Sequence, residues 1–447
     1  MKPSIPKGTR DFKPNEVYKR QYIFETVRRI FELYGYQPIE TPVMEKLSTL
    51  TGKYGDEGDQ LLFKILNNGD FLSKADAGAL EEKNSRKLTS SIAKKGLRYD
   101  LTVPFARFVT MHQNDISFPF KRYQIQQVWR GDRPQKGRYQ EFFQCDVDVV
   151  GSDSLMYEAE LVKIYDEVFH KLGVDSTIKV NNRKVLFGIA EAAGITDEFI
   201  DMTVAIDKLD KVGQEGVVKE LDKKGIDQMA IEKILKLLEI NNLTELEIAF
   251  SAAPEGLKGV EELKQFHRYL DSVSIANEVK FDITLARGLS YYTGCIFEVV
   301  SNKVSIGSIG GGGRYDDLTS SFGLKGVSGV GISFGAARIY DVMEELELFP
   351  ATIEEKLKYL FIAFNVTSHE YAFAQMSALR LAGIASDLYP EPLKLKKQMK
   401  YANDINVPFV ILIGSEEMES GIFSIKNMKT GDQSKLSLQE IIDLNVV

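Results

Sequence analysis

Cysteine is scarce in this chain. Only Cys145 and Cys295 occur in 447 residues, each in an apolar strand-like run and neither in a Cys-x-x-Cys or Cys/His cluster. That spacing argues against a disulfide framework and against structural zinc, and no metal site is expected. Long hydrophobic runs are missing as well. The most apolar stretch, 408–413, is far too short to cross a bilayer, and residues 1–6 carry no apolar signal core, so a cytoplasmic protein with no membrane partner is expected. Excess positive charge is lacking too. A net charge of -8 argues against binding nucleic acid by bulk attraction, though local basic patches can still make specific phosphate contacts. Histidine is rare, and His112, His170, His267 and His369 fall outside every motif described below, as ordinary surface or core residues.

What the chain does have is an ordinary globular balance, 44% hydrophobic and 27% charged, over a length that exceeds one core and predicts two or three domains. Its most informative segment is 121–148. Residues 123–129 alternate apolar and polar side chains over a strand's length, 142–150 do so again, and Arg133-Pro-Gln-Lys-Gly137 supplies turn chemistry between them. An antiparallel hairpin follows. From Lys121 to Arg138 there are six Lys or Arg against the single acid Asp132, an imbalance that repels itself unless anions neutralise it. The segment reads either as a solvated basic turn or as a polyphosphate holder. Arg130-x-Asp132, and Arg138 with Phe142 on the same face, favour the second, with strands rather than the tip holding the cations.

Around this hairpin, 15–34 reads as a helix capped by Asn15 and stopped at Gly35, because Ile23, Val27, Ile30 and Phe31 share one 3.6-residue face. Pro38 and Pro42 confine 36–44 to an edge or an interface. Residues 62–66, followed by Asn67-Asn-Gly69, suggest a strand pair; 73–95 reads as a long exposed loop, and 97–103 as a strand closed by Pro104. From 173 to about 278 the periodicity turns helical, an insertion into the first domain, and 279–285 returns to strand. After 356, strands at 359–364, 384–388 and 408–413 alternate with helices at 368–381 and 393–403, a small α/β domain whose last helix opens with the capping box Ser437-Leu-Gln-Glu440.

Two further constellations carry chemistry. Leu285-Ala-Arg-Gly-Leu-Ser-Tyr-Tyr-Thr-Gly294 sets an arginine and a tyrosine pair in a glycine-flanked turn, and consecutive tyrosines on a strand would send at least one into a pocket. Ile309-Gly-Gly-Gly-Gly-Arg-Tyr-Asp316 and Gly329-Val-Gly-Ile-Ser-Phe-Gly335-Ala-Ala-Arg338 are rich in glycine, either as a linker or to let backbone approach a ligand; no Gly-Lys-Ser/Thr phosphate-loop ending is present.

Together these residues resemble the class II aminoacyl-tRNA synthetases, and within them the histidyl-tRNA synthetase family, over nearly the whole chain. Pro6-Lys-Gly-Thr-Arg-Asp11 is similar to the family's amino-terminal signature, 35–44 to the first class motif, 130–142 to the second, 329–338 to the third, and Leu285–Tyr292 to the histidine-specific motif. The resemblance implies an α+β core, an antiparallel sheet flanked by helices, over 1–345, interrupted by the helical insertion 173–278, with an α/β anticodon-binding domain over 356–447. It implies ATP and Mg2+ as cofactors, L-histidine and tRNA(His) as substrates, and a homodimer joined at the first motif.

The same resemblance assigns residues. Arg130 and Arg287 are the expected catalytic pair on the α-phosphate; Arg130, Asp132, Arg138, Phe142 and Arg338 would bind ATP, with Phe142 stacked on adenine. Asp100, Leu101, Thr102, Arg130, Gln144, Asp148, Arg287, Tyr291 and Tyr292 would bind histidine. Arg133, Gln135 and Lys136 at the hairpin tip would touch tRNA, and Lys394, Lys396, Lys397 and Lys400 form either a positive face for the anticodon or a solvated helix face. Two positions depart from the family pattern: Ser290 stands where Asp is frequent, and Asp132 where Glu is frequent. A rival resemblance is to the non-catalytic histidine-binding paralogue that regulates ATP phosphoribosyltransferase. That paralogue lacks the carboxy-terminal domain and loses the arginines retained here at 130, 287 and 338.

Overall fold

The computed structural model describes residues 2–286, 291–354 and 357–445, which separate into two compact units, Met1–Phe349 and Pro350–Val447. In chain order the strands of the first are β1 (Gln37–Pro38), β2 (Met44–Lys46), β3 (Lys64–Ile65), β4 (Lys95–Leu97), β5 (Phe120–Trp129), β6 (Glu141–Val150), β7 (Ser176–Asn182), β8 (Glu278–Phe281), β9 (Cys295–Ser301), β10 (Gly310–Tyr315) and β11 (Gly329–Gly335). Eight of them form one sheet, ordered β1-β5-β6-β11-β10-β9-β7-β8, antiparallel except where β1 joins β5 and β8 joins β7 at its two edges. Strands β2, β4 and β3 make a small second sheet.

Alternation along β6 decides which way the large sheet faces. Cys145, Val147 and Val149 point into the main core, where helices Pro14–Leu33 and Met156–Leu172 cover them, while Phe142, Gln144, Asp146 and Asp148 point to the other face. The first helix buries Ile23, Val27, Ile30 and Phe31 as its spacing requires. Its cap is Lys13 rather than Asn15, because Pro14 takes the first helical position, where its missing N–H costs nothing. Gly35, at φ +77°, ends the turn that follows. As the two prolines imply, β1 lies at a sheet edge.

Several expectations change here. Residues 73–95 hold two short helices, Ala77–Glu81 and Ser85–Ile92, each capped by a side chain, Asp76 on the Ala79 N–H and Asn84 on the Lys87 N–H. Side-chain caps, not periodicity, fix such short helices. The Asn67–Gly69 turn makes no hairpin; β3 pairs instead with β4, across those helices. The expected strand 97–103 stops at Leu97, and Pro104 sits in the first turn of helix Thr102–Met111, where proline is tolerated. At the start of the helical insertion, Ser176–Asn182 is a strand of the main sheet, so the helices themselves run from Arg183 to Leu270.

The second unit has β12 (Tyr359–Ala363), β13 (Ser386–Leu388), β14 (Phe409–Ile413), β15 (Ile422–Asn427) and β16 (Gln433–Ser437), in the order β13-β12-β14-β15-β16. The first three are parallel and joined by helices Val366–Leu381 and Leu395–Asp404. Its last helix, Leu438–Asp443, carries the expected capping box at Ser437 and Glu440. Sequence periodicity had not separated β15 and β16, an antiparallel pair at the sheet edge.

Candidate active site

The open face of the large sheet floors a cleft of about 610 Å³. Asp100, Thr102, Arg130, Asp132, Arg138, Phe142, Gln144, Asp148, Tyr291, Tyr292 and Arg338 all line it, so the fold gathers positions spread over more than two hundred residues of sequence. Arg287 and Ser290 lie outside the described residues. Leu101 is the exception among those described: its side chain is fully buried and is not on the cleft wall. The backbone turns there from β4 into helix Thr102–Met111, which sends only the flanking Asp100 and Thr102 into the cleft.

Among the described residues, three arginines line the cleft. Just beyond the end of β5, Arg130 donates from Nε to the Tyr99 carbonyl at 2.9 Å, and its guanidinium lies 4.4 Å from the Tyr99 ring centre and 5.3 Å from that of Phe142. Stacking between two rings fixes the plane of the fork. Arg338, in the first turn of helix Ala336–Glu345, donates to the Gly137 and Ser308 carbonyls at 2.8 and 2.6 Å, which fastens the hairpin tip to the sheet. Arg138 belongs to the tip turn and not to a strand, and meets Asp132 only at 3.9 Å. Outside the cleft, Arg133, Gln135 and Lys136 are exposed at the tip. Lys136 pairs with Glu345 at 2.7 Å, a surface contact of little energetic weight.

Buried carboxyls line the same cleft. Asp100 accepts from the Tyr54 hydroxyl at 2.9 Å and the Val103 N–H at 3.1 Å, yet burial holds its pKa above the ordinary carboxyl value against the pull of Arg130. Asp148 accepts from the Tyr315 hydroxyl at 2.7 Å and pairs with Arg122 at 2.8 Å; burial again raises its pKa despite that cation. The room it occupies exists because residue 331 is glycine: a Cβ there would land on the Asp148 carboxylate. Gly310, Gly311 and Gly312 belong to β10 and line the cleft, so the glycine run is a buried central strand and not a linker. Tyr291 and Tyr292 precede β9 instead of lying on a strand, which lets both rings line the cleft in edge-on contact at 4.9 Å.

Sequence reasoning missed four contributors. Asp146 sits between Gln144 and Asp148 on the same face of β6, and the period-two rule applied one step further finds it. Arg122 faces Asp148 across the β5–β6 register, but no local signal marks it as buried. From the helical insertion, Ile200 and Val204 reach the cleft from helix Phe199–Ile206, one turn apart and largely exposed. The four histidines stand apart from the cleft lining.

A family model for histidyl-tRNA synthetase matches residues 8–339, and one for an anticodon-binding domain matches 356–445. A protein of Christiangramia forsetii named "Histidine--tRNA ligase" is 57% identical over 98% of this chain and 97% of its own length. One of the same name from Bacteroides fragilis is 54% identical over 99% and 98%. Among solved structures, a histidyl-tRNA synthetase from Nostoc sp. PCC 7120 superposes with a TM-score of 0.82 at 29% identity, over 99% of both chains.

Proposed function

The chain belongs to the histidyl-tRNA synthetase family, and from that premise we propose how its cleft performs the reaction. The protein is an ATP-dependent aminoacyl-tRNA ligase that activates L-histidine as its adenylate, releasing pyrophosphate, and transfers the histidyl group to the 3′ end of tRNA(His). The observation that carries the residue assignment is that arginines 130, 138 and 338 line one cleft together with the buried carboxyls of Asp100 and Asp148. A polyphosphate suits the arginines and an amino acid bearing cationic nitrogen suits the carboxyls. The match of the anticodon-binding model to 356–445 favours the ligase over the regulatory paralogue.

In this reading histidine lies on β6. Asp100, Thr102 and Gln144 take its ammonium group, and Asp148 with Tyr291 and Tyr292 takes its imidazole. Phe142 stacks on adenine, Arg130 grips the α-phosphate and the histidine carboxylate together, and Arg138 and Arg338 meet the outer phosphates. The histidine carboxylate attacks the α-phosphorus in line, and pyrophosphate leaves. No protein nucleophile is needed. Arg287 stabilises charge developing on the α-phosphate. Mg2+ is proposed as the ion that ATP brings with it. Among the described residues no group of three or more His, Cys, Asp or Glu is placed to hold a metal. The exposed Val43 and Met44, within the segment similar to the first class motif, support a homodimer, and a substrate pair of ATP and tRNA fits a cytoplasmic location.

The mechanism is tested at Arg287. A preorganised donor that meets charge formed only in the transition state contributes on the order of 10²–10³ in rate, about 3–4 kcal/mol. Arg287→Ala is therefore expected to slow single-turnover adenylate formation by about that factor with little change in ATP affinity, and lysine should rescue poorly. Near-normal single-turnover adenylation with a sharply raised histidine KM would make Arg287 a binding residue and withdraw its catalytic role.

A further inference from the structure

One carboxyl on the cleft floor has no role in the scheme above. Asp146 is 2% exposed and lines the cleft between Gln144 and Asp148. Its side chain meets the Ser333 hydroxyl, but its Oδ1 is buried with no hydrogen-bond partner. A buried polar atom left unsatisfied costs on the order of 1–3 kcal/mol, so its persistence at a ligand site points to a partner that arrives with the ligand.

The surrounding charges say what kind of partner. Across β5, Gln124 pairs in register with Asp146 and is neutral, and Arg122 pairs with Asp148. Ser333 faces it from β11. The charged groups near it are Arg122, Asp148, Asp100 and Arg98. Arg122 is fully buried, lies 4.2 Å over the Phe105 ring, and directs Nη2 to Asp148 at 2.8 Å. Asp148 also accepts from Tyr315, which leaves Asp146 with the Ser333 hydroxyl and the shared attraction of Arg122. Arg98 is turned toward the Thr41 and Gln127 carbonyls. Two neighbouring buried carboxyls with one close cation cannot both stay ionised at low cost; the second needs a proton or another cation.

We propose that Asp146 is a substrate-binding residue that exchanges its proton for a cationic nitrogen of the bound amino acid. In the empty enzyme it is mainly the neutral acid below about pH 7. When the amino acid enters, the carboxyl O–H bond breaks, the proton passes to solvent, and the carboxylate accepts a hydrogen bond from the ligand N–H. Burial, acting before any neighbour, pushes the Asp146 pKa up to about 7, which puts this exchange within the working range of pH. The proposal rests on the reading of this part of the cleft as the histidine site, and it adds a proton-coupled step to it.

Calorimetric titration of the full-length enzyme with L-histidine, in buffers of different ionisation enthalpy, counts the protons exchanged on binding. The wild type should release up to about half a proton more than Asp146→Asn near pH 7, with the difference fading at higher pH where Asp146 is already ionised. In that higher range Asp146→Asn should bind histidine roughly tenfold or more weakly. Should that variant fail to fold, the wild type alone decides: adding histidine must remove a carboxylic-acid C=O band from the infrared difference spectrum. Equal proton counts in the two proteins, or no such band, overturns the proposal. Histidine-dependent pyrophosphate exchange by the same preparation separates the two levels. Exchange without the proton release removes only the role of Asp146, whereas no exchange removes the histidine-site reading and this proposal with it.

Discussion

Single residues in the cleft set its response to pH. Asp146 has its folded pKa raised from 3.8 to about 7, chiefly by burial. The folded protein therefore holds this proton more tightly than the unfolded chain does, and the stability it contributes is complete below about pH 3.9 and is lost as pH rises through about 7. The ligand-free enzyme should accordingly lose on the order of a few kcal/mol between these limits from this group, and Asp146→Asn should remove that part of the slope. Urea midpoints of the two proteins across the range measure it; parallel pH profiles would contradict it. At this scale the sequence was informative wherever a motif spacing or a strand period named the residue, as for Arg130, Gln144 and Asp148. It was silent on Arg122. Nothing local tells a buried arginine from the solvated ones beside it, since the burial comes from Phe105 and from a register across two strands. Leu101 went the other way, because a run of adjacent positions was carried over whole although a backbone turn exposes only two of the three to the cleft.

At the scale of elements, the β5–β6 hairpin was legible from end to end, since both strands are amphipathic and glycine and proline mark the turn. Short caps and long-range pairings were not. The helices inside 73–95 depend on Asp76 and Asn84 reaching back to backbone N–H groups, and β7 belongs to the large sheet only through β8 and β9, which lie more than ninety residues downstream. Within the hairpin the parts divide: Arg130 and Phe142 are held at the cleft, whereas Arg133, Gln135 and Lys136 project from the tip. If the tip touches tRNA, as the family resemblance implies, alanine at these three positions should lower aminoacylation well beyond any change in adenylate formation. Equal loss in both assays would place them in the activation step. Loss in neither would leave the tip as plain surface, which the Lys136–Glu345 pair alone would suggest.

At the scale of the whole molecule, the two units have separate cores. Tyr359, Phe361, Leu379 and Ile411 pack together in the second, apart from the first. Lys394, Lys396, Lys397 and Lys400 are exposed on and beside helix Leu395–Asp404, a local positive face in a chain of net charge -8. With its own core, the first unit should keep adenylation when 350–447 is deleted, while the KM for tRNA rises. Normal charging of tRNA by the truncated enzyme would remove the anticodon role from the second unit. Selection of histidine for activation by ATP is proposed to lie with the buried carboxyls of the cleft. Pyrophosphate exchange measured with each proteinogenic amino acid in turn tests it most directly. Exchange with histidine alone is the predicted result, and comparable exchange with any other amino acid, or none with histidine, would contradict it.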